Sequence, residues 1–232
     1  MNRVFVAGDL HGHHDIKKLN SKKFPEGNNL SKDDYLIQLG DFGLLFHNHQ
    51  TKEEKYWLDW LKDKPWTTLF IDGNHENHPQ LSWLDKVDMF GDKVGVVNDS
   101  IFYLRRGIVY TIADRTFFTL GGAFSIDKMY RVEGRDWWPT EEPNYHESKR
   151  AYTNLDKVRW KVDYVLTHDA PSWVRDVLHS HHIEESYTVK LLDDIFGKQK
   201  FEFKHHYFGH HHMDRTVMGR HTCCYNKIHE LD

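Results

Sequence analysis

One local pattern recurs along this chain and limits what it can become: a short apolar run ending in a turn that carries metal-competent side chains. Val4-Phe5-Val6-Ala7 leads into Gly8-Asp9-Leu10-His11-Gly12, and Tyr35-Leu36-Ile37-Gln38-Leu39 into Gly40-Asp41-Phe42-Gly43. Leu69-Phe70-Ile71-Asp72 leads into Gly73-Asn74-His75-Glu76, Tyr164-Val165-Leu166 into Thr167-His168-Asp169, and Tyr207-Phe208 into Gly209-His210-His211-His212. Apolar runs bounded by turn residues read as strands buried on both faces. A helical pattern over 52–62, ended by Pro65, separates the second strand from the third. Strand–helix alternation of this kind argues for a parallel sheet with right-handed crossovers. Ligands of such sheets bind beyond the carboxyl ends of the strands, where all of these turns fall. Their convergence describes one site.

Further along, short runs at 94–97, 101–104, 108–112 and 116–120 read as a meander in a second sheet. An irregular segment over 121–147 follows, then helical character over 144–158, 172–178 and 187–196. Strands are expected at 162–166 and 204–208, with 216–219 and 222–226 closing the chain. No repeat or linker marks a second domain, so residues 1–232 read as one domain, with 121–147 as a substrate lid.

Bulk properties narrow the function. A formal net charge of −4 argues against a broad basic surface for nucleic acid. No apolar run approaches the roughly 20 residues that span a bilayer, and the first strand begins too early to leave room for a signal peptide. Cys223 and Cys224 are adjacent and cannot staple distant segments. A soluble protein of a reducing cytoplasm is expected, with no membrane partner. Histidine is abundant, 19 residues in 232, far more than one site can use. His13, His14, His47, His49, His78, His179, His181, His182, His205 and His206 are expected at the surface or behind the ligands.

Asp9, His11, Asp41, Asn74, His168, His210 and His212 form a mixed set of carboxylate, amide-oxygen and imidazole donors. Manganese, iron and zinc all accept such a set. Two ions need a bridging carboxylate; together they acidify a shared water and neutralise a bound phosphate. A histidine beside a ligand is a natural proton donor to the leaving oxygen.

In order and spacing, Asp9-x-His11, Gly40-Asp41, Gly73-Asn74-His75-Glu76, His168 and Gly209-His210-x-His212 resemble the calcineurin-like metallophosphoesterase superfamily over nearly the whole chain. The resemblance implies an α/β fold, an αββα sandwich of two mixed β-sheets flanked by helices, with a dinuclear metal site at the C-terminal ends of the strands. It implies that Asp9, His11, Asp41 and His212 hold one metal, and that Asp41, Asn74, His168 and His210 hold the other. Asp41 would then be the bridge, a metal-bridging hydroxide the attacking group, and His75 the residue that protonates the leaving group or contacts the phosphate. The serine/threonine protein phosphatase branch carries an aspartate three positions and an arginine four positions after its bridging aspartate. Here those positions are Leu44 and Leu45.

Arg131 and Arg135, in the irregular segment, are the candidates to clamp phosphate in place of that arginine. Trp137-Trp138 are candidates to stack on a base or cover the site. The expected function is therefore metal-dependent hydrolysis of a phosphomonoester or phosphodiester, with two divalent ions, manganese before iron or zinc. A small nucleotide or short single-stranded nucleic acid is the favoured substrate. The alternatives are a serine/threonine-type protein phosphatase, a nuclease and a non-catalytic metal-binding interaction scaffold.

Overall fold

Strands that are apolar along their whole length need cover on both faces, and here two stacked sheets between two helical layers provide it. The protein, described by a computed structural model over residues 2–179 and 186–232, forms this αββα sandwich. His181 and His182 lie outside the described residues.

In the first sheet β1 (Val4–Ala7), β2 (Tyr35–Leu39) and β3 (Thr67–Ile71) run parallel, with Val4 opposite Tyr35 and Tyr35 opposite Thr67. Helix α1 (Lys52–Lys62) makes the crossover from β2 to β3. It starts at a capping box, in which Thr51 Oγ1 accepts the Glu54 N–H and the Glu54 carboxylate accepts the Thr51 N–H. Glu54 also accepts the amides of Phe46 and His47, so the helix start anchors the loop that follows Asp41. After α2 (His78–Trp83), the antiparallel strands β4 (Lys86–Met89), β5 (Asp92–Asn98) and β6 (Ile101–Tyr103) extend the same sheet, β6 lying parallel to β3.

The second sheet begins with the antiparallel pair β7 (Ile108–Ile112) and β8 (Arg115–Leu120). Helix α3 (Tyr145–Lys157) leads to β9 (Tyr164–Thr167), parallel to β8. Helices α4 (Ser172–Leu178) and α5 (Tyr187–Phe196) lead to β10 (His205–Phe208), parallel to β9. Strands β11 (Arg215–Val217) and β12 (His221–Cys223) complete this sheet, and β13 (His229–Leu231) returns to pair with β1.

The run from 94 to 120 was expected to form one meander in the second sheet, and the fold divides it. Strands β5 and β6 complete the first sheet, and only β7 and β8 belong to the second. The chain changes sheets across Arg105-Arg106-Gly107, where Arg106 is buried and Gly107 takes φ +71° against α3. Periodicity cannot show this division, because strands on either side of the crossing contribute to one inter-sheet core: Phe102 and Leu104 meet Ile108 and Tyr110 there. Strand β4 was missed because it is largely exposed and lacks an apolar pattern, and β13 because it has only three residues.

Three apolar layers hold the sandwich. Val4, Val6, Ile37, Leu39 and Ile71 face Tyr110, Phe117 and Leu166 between the sheets. Phe5, Leu36 and Phe70 pack under Leu58, Leu61 and Leu81 of α1 and α2. Phe118, Leu120 and Val165 pack under α3 and α5. Both positions that distinguish the protein phosphatase branch are core: Leu44 and Leu45 are buried in the layer under α1. Among the described residues no helix is long and apolar enough to cross a membrane.

A buried ion pair fixes the crossing between sheets. Asp72, fully buried, accepts hydrogen bonds from Tyr103 Oη at 2.9 Å and Arg106 Nε at 2.7 Å. Arg106 also donates to the carbonyls of Thr140 and Glu141, at 3.1 and 2.8 Å, and to Glu147. Burial opposes ionisation of Asp72, but the guanidinium prevails and holds the carboxyl well below its usual range. Removing one partner of such a pair strands the other charge in an apolar interior. Arg106→Leu is therefore expected to cost roughly 3–5 kcal/mol in urea unfolding. Adding Asp72→Asn should recover part of that loss; a double variant as unstable as the sum of the singles would contradict the pairing.

Candidate functional site

The turns following β1, β2, β3, β9 and β10 meet at one edge of the sandwich. Their backbones are strained where the candidate ligands sit. Asp9, His11, Asp41, His210 and His212 all have positive φ, between 27° and 66°. Side-chain-bearing residues avoid this region; Phe90, Ala113, Asp114, Arg159, Trp160 and Met218 enter it elsewhere, but only here do five such residues share one edge.

Asp41 lies at the centre, buried to 2% exposure. One of its oxygens is 3.2 Å from His11 Nε2 and the other 3.3 Å from His168 Nε2. Two donor groups result: Asp9, His11, Asp41 and His212 in one, Asp41, His168 and His210 in the other. Within each group the donor atoms lie within 4.8 Å of one another, and Asp41 is common to both. Asn74 joins the second group, its Oδ1 3.2 Å from His168 Nε2. All seven residues singled out in the sequence are thus brought together.

The donor set fits divalent cations. His11 Nδ1 faces Asp15 at 3.2 Å, and His168 Nδ1 donates to the Leu39 carbonyl at 2.7 Å, so each ring directs Nε2 toward Asp41. The amide of Asn74 donates to Ser125 Oγ at 3.1 Å, and Ser125 donates to the Glu141 carboxylate, which turns the Asn74 oxygen inward. Burial pushes Asp9 up to about 6 and His210 down to about 3. Burial likewise opposes charge on His168, but the Asp41 carboxylate overrides it and raises the ring to about 10. Acids and imidazoles crowded this closely out of water are compensated by cations held among them.

His75 stands beside this cluster, half-buried, its N–H donating to Asp41 Oδ1 at 2.9 Å. Arg131, from the irregular segment, approaches the His75 ring. Its Nη1 lies 3.2 Å from His75 Nδ1 and its Nη2 3.5 Å from His75 Nε2, so the guanidinium stands against both ring nitrogens. Arg131 is itself gripped by Asp127, through Nε at 2.7 Å and Nη2 at 2.6 Å. Burial, with the nearby Arg131 charge, depresses the His75 ring. Arg135 is exposed, pairs with Asp136 at 2.8 Å and is not part of the cavity wall. Trp138 is buried edge-on against Phe46 and packs the segment, while Trp137 is half-buried.

A cavity of about 270 Å³ opens over the cluster, walled by Asp41, Asn74, His75, His210 and His212, and by Phe124, Ile126 and Asp127 of the irregular segment. Three further wall residues escaped the sequence reading. Arg175 is buried on α4 with Nη1 3.4 Å from Asp169, and its Nε has no partner among the described residues. His211 links Asp169 at 2.9 Å to His179 at 2.9 Å. His179 was expected among the bystanders, yet the end of α4 carries it to the cavity. Three residues behind the site were also missed. Lys18 is buried and donates to the carbonyls of Gly8, Asp9 and Tyr225, pinning the first turn. Glu76 accepts the amides of Gly43 and Gly73, joining the second turn to the third, and burial pushes it up to about 8. Glu141 secures Ser125. Only the Gly-Asn-His-Glu pattern signalled any of these, through Glu76.

Comparison with known proteins adds a family. The calcineurin-like phosphoesterase family matches residues 2–214. Among solved structures, GAP50, the anchor in the inner membrane complex of Plasmodium, aligns with a TM-score of 0.49 at 11% identity, over 97% of this chain and 71% of that one. No curated protein matches the chain.

The glycines of the turns leave the space that the donors fill. A Cβ on Gly40 (φ +88°) would overlap the His168 ring, whereas one on Gly91 (φ +91°) would meet nothing within 4 Å. Gly91→Ala should lose only the left-handed backbone cost, about 1–2 kcal/mol. Gly40→Ala should lose a further 1–3 kcal/mol or so by overpacking. Equal losses in urea unfolding would show that Gly40 is needed for its φ alone.

Proposed function

The chain belongs to the calcineurin-like phosphoesterase family, and on that premise we propose that the strand-end site hydrolyses a small phosphomonoester or phosphodiester, of nucleotide or nucleic-acid-derived type, with two divalent ions, manganese foremost. The observation carrying this reading is Asp41, whose two oxygens face two histidines from two donor groups. Asp9, His11, Asp41 and His212 would hold one ion, and Asp41, Asn74, His168 and His210 the other. When bound, such ions supply positive charge against phosphate oxygens and a water acidified enough to attack at neutral pH.

The chain's own groups do the rest. His75 stands between the donor cluster and the Arg131 guanidinium, where a proton carried on its ring can pass to a leaving oxygen. Arg175, with an uncommitted Nε in the cavity wall, and His179 beside it can grip phosphate from the side opposite the irregular segment. Arg131, held by Asp127, serves as a fixed charge close to the same position. Arg135 would reach phosphate only if the 121–147 segment closed as a lid. Phe124 and Ile126 give the cavity an apolar wall suited to a base or another flat leaving group. Buried leucines at 44 and 45 leave no place for the paired aspartate and arginine of a protein phosphatase. Free, buried Cys223 and Cys224 are in keeping with a reducing, cytoplasmic setting.

Metal-stripped protein should gain turnover of p-nitrophenyl phosphate or bis-p-nitrophenyl phosphate on adding manganese, and the ratio of the two rates gives the ester preference. Silence on both, with two ions bound per chain, would overturn the reading. Asp41→Asn should lower occupancy of both ions, as followed by metal analysis; two ions retained with undiminished turnover would remove it from the bridge. His75→Ala should keep both ions and slow hydrolysis by about 10²–10⁴-fold for esters whose leaving group needs a proton. A smaller loss is expected with p-nitrophenolate, and an equal loss on every ester would assign His75 to phosphate binding instead.

A further inference from the structure

A second cavity, of about 390 Å³, lies between α2, α3 and the end of β6, and shares no wall residue with the cavity at the metal centre. Four cations line it, Lys86, Arg105, Arg106 and Arg150, against a single acid, Glu147. Arg106 is committed to Asp72, Glu147 and two carbonyls. Of the other three, only Arg150 has an acid within reach, and that one distant. Lys86 Nζ reaches only the carbonyls of Ser82 and Leu84. Arg150 gives Nε to the Arg106 carbonyl, and its Nη2 is 3.9 Å from Glu147. The Arg105 guanidinium makes no hydrogen bond or ion pair among the described residues. Burial and the adjacent Arg105 charge both depress Arg150.

The buried floor supplies an independent sign. His78 belongs to the cavity wall and is only 7% exposed. Its Nδ1 lies 3.2 Å from Arg106 Nη2. The Asp72 carboxylate faces the same Nδ1 at 3.5 Å, so this ring nitrogen is taken up inside the fold. That Nε2 is buried and has no partner among the described residues. Buried polar atoms are almost always satisfied, so an unsatisfied ring nitrogen in a cationic cavity marks the place of a missing partner.

We propose that this cavity binds a small phosphorylated molecule, its phosphate oxygens taken by Arg105, Arg150 and Lys86, with the unpartnered Nε2 of His78 against it. The volume falls within the range of small-molecule sites. The same Arg106 that orients His78 also donates to the Glu141 carbonyl, and the Glu141 carboxylate holds Ser125 against Asn74. An occupant would therefore press on the network that positions a candidate metal ligand.

Titration calorimetry of the full-length, metal-stripped protein with inorganic pyrophosphate tests the site without depending on any hydrolytic activity. Wild type should bind, and Arg131→Ala, altered only at the other cavity, should retain that site. Lys86→Gln with Arg105→Gln, two outlying side chains not needed for folding, should weaken it by about tenfold or more, the loss expected when charge-assisted hydrogen bonds to an anion are removed. His78→Phe should weaken it as well, with an unchanged circular dichroism spectrum. An isotherm unchanged by the Lys86 and Arg105 replacements, binding abolished by Arg131→Ala alone, or no binding to wild type would each overturn the proposal.

Discussion

A buried carboxylate without compensating positive charge would be expelled or protonated, and much of this molecule is arranged so that Asp41 is neither. Its oxygens meet His11 and His168, which come from turns far apart in sequence. Its backbone takes a left-handed φ of 50°, and the N–H of His75 closes on one oxygen. None of these contacts can form unless β1, β2, β3 and β9 end at the same edge. Parallel pairing brings the first three together, and stacking of the sheets brings the fourth.

Around this centre the chain places a second ring of polar contacts. Lys18 ties three carbonyls behind the first turn, Glu76 joins the second turn to the third, and the Glu141–Ser125 pair fixes Asn74. The Asp72–Arg106 pair anchors this ring to the sheet crossing. Interactions of this kind hold side chains in one orientation before anything binds to them. The irregular segment takes part as well, since both Arg131 and Ser125 come from it.

Much of the site was legible in the chain because its signals are local. A strand followed at once by Gly-Asp or Gly-Asn-His sets both the position of a side chain and its direction, so Asp9, His11, Asp41, Asn74, His168, His210 and His212 could be read in order. Helices over 52–62, 172–178 and 187–196 were legible through spacing and turn residues, and agree with α1, α4 and α5. The assignment of the 94–120 run to one sheet failed because a strand's apolar content does not say which edge it joins.

What the sequence alone determined, then, is the inventory: buried parallel strands, strand-end donors in family order, and a further histidine beside them. These follow from residue type and short spacing, which act within one turn or strand. Tertiary structure alone decided that Arg131 meets His75 across more than fifty positions, that Arg175 and His179 reach the cavity, and that His78 is left with an unmatched Nε2. Those contacts depend on how two sheets stack and where loops cross, and no local pattern encodes them.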